Sequence, residues 1–163
     1  MESQLFSDIG KNTKGESILL VGSSGNIGGK ALELLLKHGK AAAITAFDKK
    51  EPRIKSLPPE VKVLHGAEAD ITDPDAVARA TKGASIVVCA VGVPRFTAPG
   101  EKKLTPFELE QQGVQHLVDA AKKEGVKQII YISALGVARG DNIPSFHHAH
   151  VAKKNAEQLI MAS

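Results

Sequence analysis

Three glycines at intervals of three residues follow a short apolar segment near the start of the chain. Residues 18–21 are all aliphatic and suit a buried strand, Gly22, Gly25 and Gly28 come next, and an amphipathic segment of helical period continues to His38. Glycine at position 22 permits a tight turn, and glycine at position 28 lets a helix pack closely on the strand. This spacing restricts the fold strongly, because it places a helix N-terminus at the carboxyl end of a buried strand.

The rest of the chain repeats this alternation of strand and helix. Short apolar segments alternate with longer segments of helical period, which is typical of βαβ units and a parallel sheet. The predicted strands are residues 17–21, 42–47, 61–65, 85–91 and 128–133. The predicted helices are residues 27–38, 74–81, 106–124 and 149–162. We therefore predict an α/β fold, a doubly wound, Rossmann-like parallel sheet of about five strands in the order 3-2-1-4-5 with helices on both faces.

Capping signals mark several of the helix ends. Asp73 and Thr105 each precede a proline, and Thr105 is followed three residues later by Glu108, so both are predicted N-caps. Gly39 and Gly125 each follow a basic helix end. We expect both of these glycines to adopt the left-handed conformation that closes a helix.

The composition fits a single domain of this kind. The chain has 163 residues, of which 42% are hydrophobic and 4% aromatic, enough for one aliphatic core. Residues 1–16 mix both charges and lack the features of a signal or transit peptide. We expect a flexible leader over residues 1–16 and one domain over residues 17–163.

The single cysteine, Cys89, lies in an apolar segment, which predicts a buried thiol and a reducing, cytoplasmic compartment.

Charge and hydropathy argue against nucleic acid and membranes as partners. The net charge of +3 comes from scattered lysines with acids between them, and there is no basic block interleaved with aromatic residues. The longest nearly uncharged stretch, residues 84–94, is well short of the roughly 20 residues that span a bilayer. Solvated surface lysines are the simplest interpretation, although a few can meet the phosphates of a small ligand.

The glycine segment also indicates a ligand. Gly25 lets a pyrophosphate approach the backbone, and the helix that follows offers free N–H groups and a positive dipole end. A P-loop is excluded, because Gly28 is followed by Gly29 and Lys30 rather than by Lys and Ser or Thr. Asp48 ends the second predicted strand, 20 residues beyond Gly28, where a carboxylate can bind the adenosine ribose hydroxyls. The pattern predicts the dinucleotides NAD or NADP.

Asp48 favours NAD over NADP. Its carboxylate would repel a ribose 2′-phosphate, although the adjacent Lys49 and Lys50 can offset that repulsion. Two alternatives stay open from the residues alone. The glycines can serve tight packing without a ligand, and Asp48 can be a solvated turn residue.

With these residues in place, the chain resembles the extended and atypical short-chain dehydrogenase/reductases, and it is most similar to their NmrA-like branch. The motifs that carry the resemblance are GSSGNIG at 22–28, DITDPDAV at 70–77 and the long segment at 113–137. The resemblance implies that Asp70 and Ile71 flank the adenine and that Ser133 faces the nicotinamide. The cofactor-binding residues that it implies, together with those argued above, are Gly22, Ser24, Gly25, Asn26, Ile27, Gly28, Asp48, Lys49, Asp70, Ile71, Ala90, Val91 and Gly92.

The resemblance is broken at the catalytic pair. The family usually has a tyrosine four residues before a lysine, which lowers the pKa of the phenol for proton exchange during hydride transfer. The lysine aligns with Lys153, but Ala149 stands at the tyrosine position, and the single tyrosine, Tyr131, lies in a predicted strand. His150, four residues before Lys154, can move a proton near neutral pH. The candidate catalytic residues are therefore Ser133, Lys153 and His150.

Further departures concern the surroundings of that pair. Glu110 stands where many relatives carry an active-site asparagine, and Ala134 replaces a second frequent serine. The cluster of His147, His148 and His150 lacks nearby cysteines and has few carboxylates, so we expect a solvated loop and no metal.

Relatives continue past the final helix into another strand and a substrate-binding region. Here the sequence ends earlier, so a naturally short protein, a truncated product and an excised domain all fit. The fifth strand is then an expected edge unless a partner, a helix or the leader covers it.

Two functions follow from these observations. The first is an NAD(P)-dependent oxidoreductase or epimerase-like enzyme acting on a small carbonyl or alcohol. The second is a non-catalytic dinucleotide binder such as a redox-sensing regulator. An interaction module that has lost its cofactor is disfavoured by the intact glycine loop. The helix at 106–124 and the final helix resemble the pair through which relatives often dimerise, so a homodimer is expected.

Overall fold

The structure is a computed structural model, and it describes residues 2–93, 100, 103–138 and 147–163. The connection from the predicted fourth strand to the helix at 106–124, and that from the predicted fifth strand to the final helix, lie largely outside these residues. Within the described ranges, none of the helices is long and apolar enough to cross a membrane.

Five strands form one parallel sheet in the order β3-β2-β1-β4-β5, as predicted. The strands are β1 (Ser17–Val21), β2 (Ala43–Phe47), β3 (Val61–Leu64), β4 (Ile86–Cys89) and β5 (Gln128–Tyr131). The helices are α1 (Glu2–Asn12), α2 (Asn26–His38), α3 (Pro74–Thr81), α4 (Gly113–Glu124) and α5 (His147–Met161). The α/β prediction is confirmed.

The strand register brings the carboxyl ends of the sheet into one row. Val21 pairs with Phe47 on one side and with Cys89 on the other, Phe47 pairs with Leu64, and Cys89 pairs with Tyr131. β4 and β5 each end two residues before their predicted ends. The residues past those ends therefore leave the sheet together at one edge, where ligands of doubly wound folds bind.

Helices cover both faces of the sheet, because the strand residues that point to either face are apolar. Leu19 belongs to a buried cluster that includes side chains of α3, α4 and α5. Its neighbour Leu20 belongs to a second cluster, on which α2 packs through Leu32. β5 pairs only with β4 among the described strands, and Ile130 on it is 41% exposed. β5 is thus the sheet edge in the described part of the chain.

Most of the segment expected to be a flexible leader is helical, because residues 2–12 form α1. The Phe6 ring stacks on the imidazole of His38 with ring centroids 3.9 Å apart. The Thr13 hydroxyl donates to the Ile9 carbonyl and accepts from the Lys40 N–H. These contacts attach α1 to the end of α2. The sequence of residues 1–16 alone does not indicate them, because their partners lie beyond a whole helix further along the chain.

The predicted helix caps are confirmed except at Gly39. Asp73 accepts from the Asp75 N–H, and Thr105 and Glu108 form the reciprocal capping box. Gly125 is left-handed, with φ 69° and ψ 35°. Gly39 is extended instead, with φ −70° and ψ 163°, so its predicted conformation was wrong. Glycine is favoured there because a Cβ would overlap the backbone carbonyl of Leu35.

The helix predicted at 106–124 is divided. Residues Phe107–Gln112 form wider π-helical turns before α4 begins at Gly113. Such turns are rare and occur frequently at functional sites. Here the π-helical segment carries Glu110, which is only 2% exposed. A carboxylate is thereby buried next to the carboxyl edge of the sheet.

Candidate functional site

A cavity of about 540 Å³ lies at the carboxyl edge of the sheet, within the range of about 300–1,000 Å³ typical of ligand pockets. Of the cofactor residues that the sequence indicates, those lining it are Gly22, Ser24, Gly25, Asp48, Lys49, Asp70, Ile71, Ala90, Val91 and Gly92. Asn26, Ile27 and Gly28 begin α2 beside the loop and are not among its lining residues. The structure thus brings together side chains from the ends of β1, β2 and β4 and from the segment after β3.

Glycine is required at both ends of the loop, and a different steric contact requires it at each end. Gly22 has a φ of +86°, and a Cβ there would lie 2.8 Å from the Ala90 carbonyl oxygen. A Cβ at Gly28 would overlap the carbonyl of Gly22. The turn therefore packs against the end of β4 on one side and against α2 on the other. Gly25 has no side chain to cap α2, which leaves the first N–H groups of that helix available to an anion.

Asp48 is tied to the glycine loop. Its Oδ2 accepts hydrogen bonds from the Ser24 N–H at 3.0 Å and from the Ser24 hydroxyl at 2.8 Å. One carboxylate oxygen therefore orders the loop, a role that sequence spacing did not indicate. Because Asp48 also lines the cavity, the same side chain links the glycine loop to the cavity.

Lys49 and Asp70 form an ion pair at the cavity wall. The Lys49 ammonium lies 2.8 Å from Asp70 Oδ2, and Asp70 Oδ1 accepts from the N–H and the hydroxyl of Thr72. Burial raises the pKa of Asp70, but the hydrogen bonds from Lys49 and Thr72 outweigh it and hold that pKa below its usual value. The positive charge of Lys49 is thus directed to Asp70.

A second polar cluster lies past the ends of β4 and β5. The Lys153 ammonium, carried by α5, lies 3.1 Å from the Ile132 carbonyl oxygen, 3.4 Å from that of Val91 and 3.4 Å from the Tyr131 hydroxyl. Burial raises the pKa of Tyr131 strongly, and the nearby Cys89 and Glu110 add to the effect. Tyr131 thus reaches the Lys153 ammonium from β5, and not from the position four residues before it on α5.

Glu110 faces Lys153 from the π-helical segment. Its Oε1 accepts from the Val93 N–H at 2.9 Å and lies 3.8 Å from the Lys153 ammonium. Its Oε2 has no hydrogen-bond partner among the described residues. Burial raises the pKa of Glu110 above its usual value, against the opposing effects of Lys153, the Val93 N–H and His150. The sequence held two signals for this site, since Glu110 stands at the position of the relatives' active-site asparagine and lies one turn before Val114 on the apolar helix stripe.

The remaining candidates divide between this cluster and the surface. Ser133 lies beyond β5, and its hydroxyl oxygen is buried without a hydrogen-bond partner among the described residues. His150 is 7% exposed and acts electrostatically on Glu110, whereas His147 and His148 are exposed on the first turn of α5. The prediction of a solvated loop was therefore wrong, because these histidines begin a helix that packs on the π-helical segment. The described residues contain no group of three or more metal-ligating side chains.

Comparison with known proteins agrees with this geometry. The model of a family described as NAD(P)H-binding matches residues 22–163. An uncharacterized chloroplastic protein of Arabidopsis thaliana is 30% identical over 92% of this chain and 56% of its own length.

Two solved structures share the fold. A short-chain dehydrogenase from Burkholderia cenocepacia in complex with NADP has a TM-score of 0.71 at 22% identity, over 92% of this chain and 65% of that one. The enzyme WbmG from Bordetella bronchiseptica in complex with NAD also has a TM-score of 0.71, at 21% identity, over 92% of this chain and 50% of that one. The chain thus spans between half and two thirds of the length of these proteins. It belongs to the NAD(P)H-binding family of Rossmann proteins, whose structural neighbours include short-chain dehydrogenases.

Proposed function

We propose that the cavity binds NAD or NADP and that the protein exchanges hydride with a small carbonyl or alcohol substrate, as an oxidoreductase or epimerase-like enzyme. The observation that supports this most is that one cavity is lined by Gly25, the residue that directly precedes α2, together with Asp48 and Asp70. In this arrangement the α2 N–H groups bind the pyrophosphate, and Asp48 binds the adenosine ribose. The bound nicotinamide would supply or accept the hydride.

The geometry also supports a preference for NAD. Asp48 repels a ribose 2′-phosphate, and the ammonium of Lys49 is held by Asp70 at 2.8 Å. Lys49 therefore offsets the charge of Asp48 less than its position in the sequence suggests. The two similar structures bind NADP and NAD respectively, so the preference rests on these side chains.

Asp48→Ala is expected to weaken NAD more than NADP, by about tenfold in relative affinity, since a hydrogen bond to a charged group contributes about 1.5 kcal/mol or more. Calorimetric titration of both dinucleotides measures the ratio. Ser24→Ala is the matched control, because it removes the hydroxyl that donates to Asp48 and leaves the carboxylate in place. The control should change both affinities alike, and an unaltered ratio in Asp48→Ala would remove the proposed preference.

A non-catalytic regulator is the second candidate function. It is supported by Ala149 at the position of the family's tyrosine. Titration with NAD, NADH, NADP and NADPH, followed by hydride-transfer assays with carbonyl and alcohol substrates, separates the two functions. Binding with turnover supports the enzyme, binding without turnover supports the regulator, and no binding at millimolar concentrations contradicts both.

A homodimer through α4, α5 and the π-helical segment is a further proposal. These elements border a groove lined mainly by neutral amides, namely Gln111, Gln112, Gln115, Asn155 and Gln158. Amides both donate and accept hydrogen bonds, so the same surface can pair with itself about a two-fold axis. Light scattering that shows only monomer at high concentration would contradict this interface.

The cytoplasmic compartment is likewise a proposal. It is supported by the buried position of Cys89, whose thiol pKa burial raises to about 11. A thiol of this kind is a packing residue and does not depend on an oxidising environment.

A further inference from the structure

Glu110 on the π-helical segment and Lys153 on α5, here called the buried pair, both contact the backbone that follows β4. Lys153 bonds to the carbonyl of Val91, and Glu110 accepts from the N–H of Val93. Val91 and Gly92 line the cavity. A Cβ added at Gly92 would lie 3.5 Å from Glu110 Oε1, so the carboxylate lies directly against the backbone that forms the cavity wall.

We propose that Glu110 is a positioning residue for the dinucleotide site: its carboxylate holds the Lys153 ammonium and the Val93 N–H, and thereby fixes Val91 and Gly92, which line the cavity. The inference rests on the proposed dinucleotide binding. It adds Glu110 to the residues that shape this site, and Glu110 acts there through the Lys153 ammonium and through the backbone N–H of Val93.

The charges around the pair indicate why the carboxylate matters. The hydrogen-bond partners recorded for Lys153 are two carbonyls and a phenol, all neutral, while Glu110 provides a negative charge at 3.8 Å. The Lys153 side chain is 11% exposed and that of Glu110 2%, so water screens the pair weakly. When Glu110 is protonated, the Lys153 ammonium keeps the two carbonyls and the phenol as hydrogen-bonding partners but loses the negative charge beside it.

Other titratable groups face the pair from each packed element. His150 acts on Glu110 from α5, Tyr131 and Cys89 lie on β5 and β4, and Glu157 on α5 acts on Tyr131. Of these groups, His150 is the one that acts on Glu110, and it is carried by the same helix as Lys153. A test of Glu110 must therefore separate its proton from that of His150.

The pair links dinucleotide affinity to pH. If the dinucleotide binds the form in which Glu110 is ionised, binding favours proton release, and affinity falls as pH decreases through the pKa of Glu110. Simple electrostatics gives the opposite sign, because protonation adds net positive charge near an anionic ligand. The direction of the pH dependence therefore distinguishes positioning from charge attraction.

The experiment titrates whichever of NAD and NADP binds the wild type more tightly, at a series of pH values from about 4.3, the ordinary glutamate pKa, up to about 8, because burial raises the pKa of Glu110. Glu110→Gln keeps an acceptor for the Val93 N–H and removes the charge. At the upper pH we expect it to weaken binding about tenfold, within the usual range of coupling between sites, and to abolish the pH dependence. The double variant Glu110→Gln/Lys153→Met should bind no more weakly than Lys153→Met.

His150→Gln is the matched control and should keep the pH dependence. The proposal is overturned if Glu110→Gln binds as the wild type does at the upper pH. It is also overturned if its pH dependence persists, or if the dependence disappears in His150→Gln instead.

Two further measurements test the inference even if the variants fail to fold or the protein binds no dinucleotide. Calorimetry of the wild type in two buffers of different ionisation enthalpy should show proton release on binding, and no release would contradict the proposal even if every variant failed to fold. If the wild type binds no dinucleotide, the proposed function fails separately. The thermal stabilities of the two single variants and the double variant then test the pair, and additive losses would show that Glu110 does not act through Lys153.

Discussion

Gly28→Ala is expected to destabilise the protein by about 3 kcal/mol, near the upper end for overpacking a tight contact, and to abolish dinucleotide binding. A Cβ at position 28 would overlap the carbonyl of Gly22 and lie 3.3 Å from the Ser23 Cα. Both neighbours are backbone, so α2 must move away from the turn. That movement would displace the helix N-terminus from the phosphates. Urea unfolding and calorimetric titration measure the two effects.

Gly29→Ala provides the matched control one residue further along α2. A Cβ there would meet the Ser23 carbonyl at 3.6 Å, an ordinary contact. Because alanine favours the helix more than glycine does, this variant should be as stable as the wild type or more stable by up to about 1 kcal/mol. Equal losses of stability in the two variants would show that close packing at Gly28 is not the reason for the glycine.

Lys153→Met is expected to lower the free energy of unfolding by about 3 kcal/mol at neutral pH, because removing one partner of a buried ion pair leaves the other uncompensated. Methionine keeps most of the aliphatic length of lysine, so the loss reports mainly on the charge. The carboxylate of Glu110 then remains buried with the Val93 N–H as its recorded hydrogen-bond donor.

The loss should depend on pH with a definite sign. Burial already raises the pKa of Glu110 in the folded protein, and removing Lys153 raises it further. A group with a raised folded pKa contributes stability that is fully present below its unfolded pKa and is lost as pH rises through the folded pKa. Chemical denaturation should therefore show a small difference between Lys153→Met and the wild type near pH 4.5 and a growing difference towards pH 8. The exposed neighbour Lys154→Met should show neither effect, and a loss independent of pH would contradict the role of the buried charge.

The sheet and the glycine loop could be predicted because both depend on local patterns. Apolar runs of strand length alternate with helical segments, and a β1 end followed by Gly22, Gly25 and Gly28 needs no distant partner to be recognised. The capping box at Thr105 and Glu108 is equally local. The register of the strands then follows from the fold class, which is why residues predicted from separate segments line one cavity.

The contacts that the prediction missed are those made between elements. The hydrogen bonds from Ser24 to Asp48 and the ion pair of Lys49 with Asp70 join residues at least 21 positions apart. The buried position of Glu110 depends on a π-helical segment, which has no simple sequence signal. Gly39 was also mispredicted, since a glycine after a helix permits a left-handed conformation, whereas here the backbone is extended and the space for a Cβ is taken by the Leu35 carbonyl.

The central claim is that a dinucleotide binds in the cavity beside the glycine loop. The most direct test is a titration of the ¹⁵N-labelled protein with NAD and NADP, followed through the backbone amide resonances. We predict the largest shifts at the amides of Gly22, Ser24, Gly25 and Asn26, with smaller shifts at Asp48 and Gly92. Unchanged loop amides at millimolar dinucleotide, or shifts confined to the amide-lined groove between α4 and α5, would contradict the proposed site.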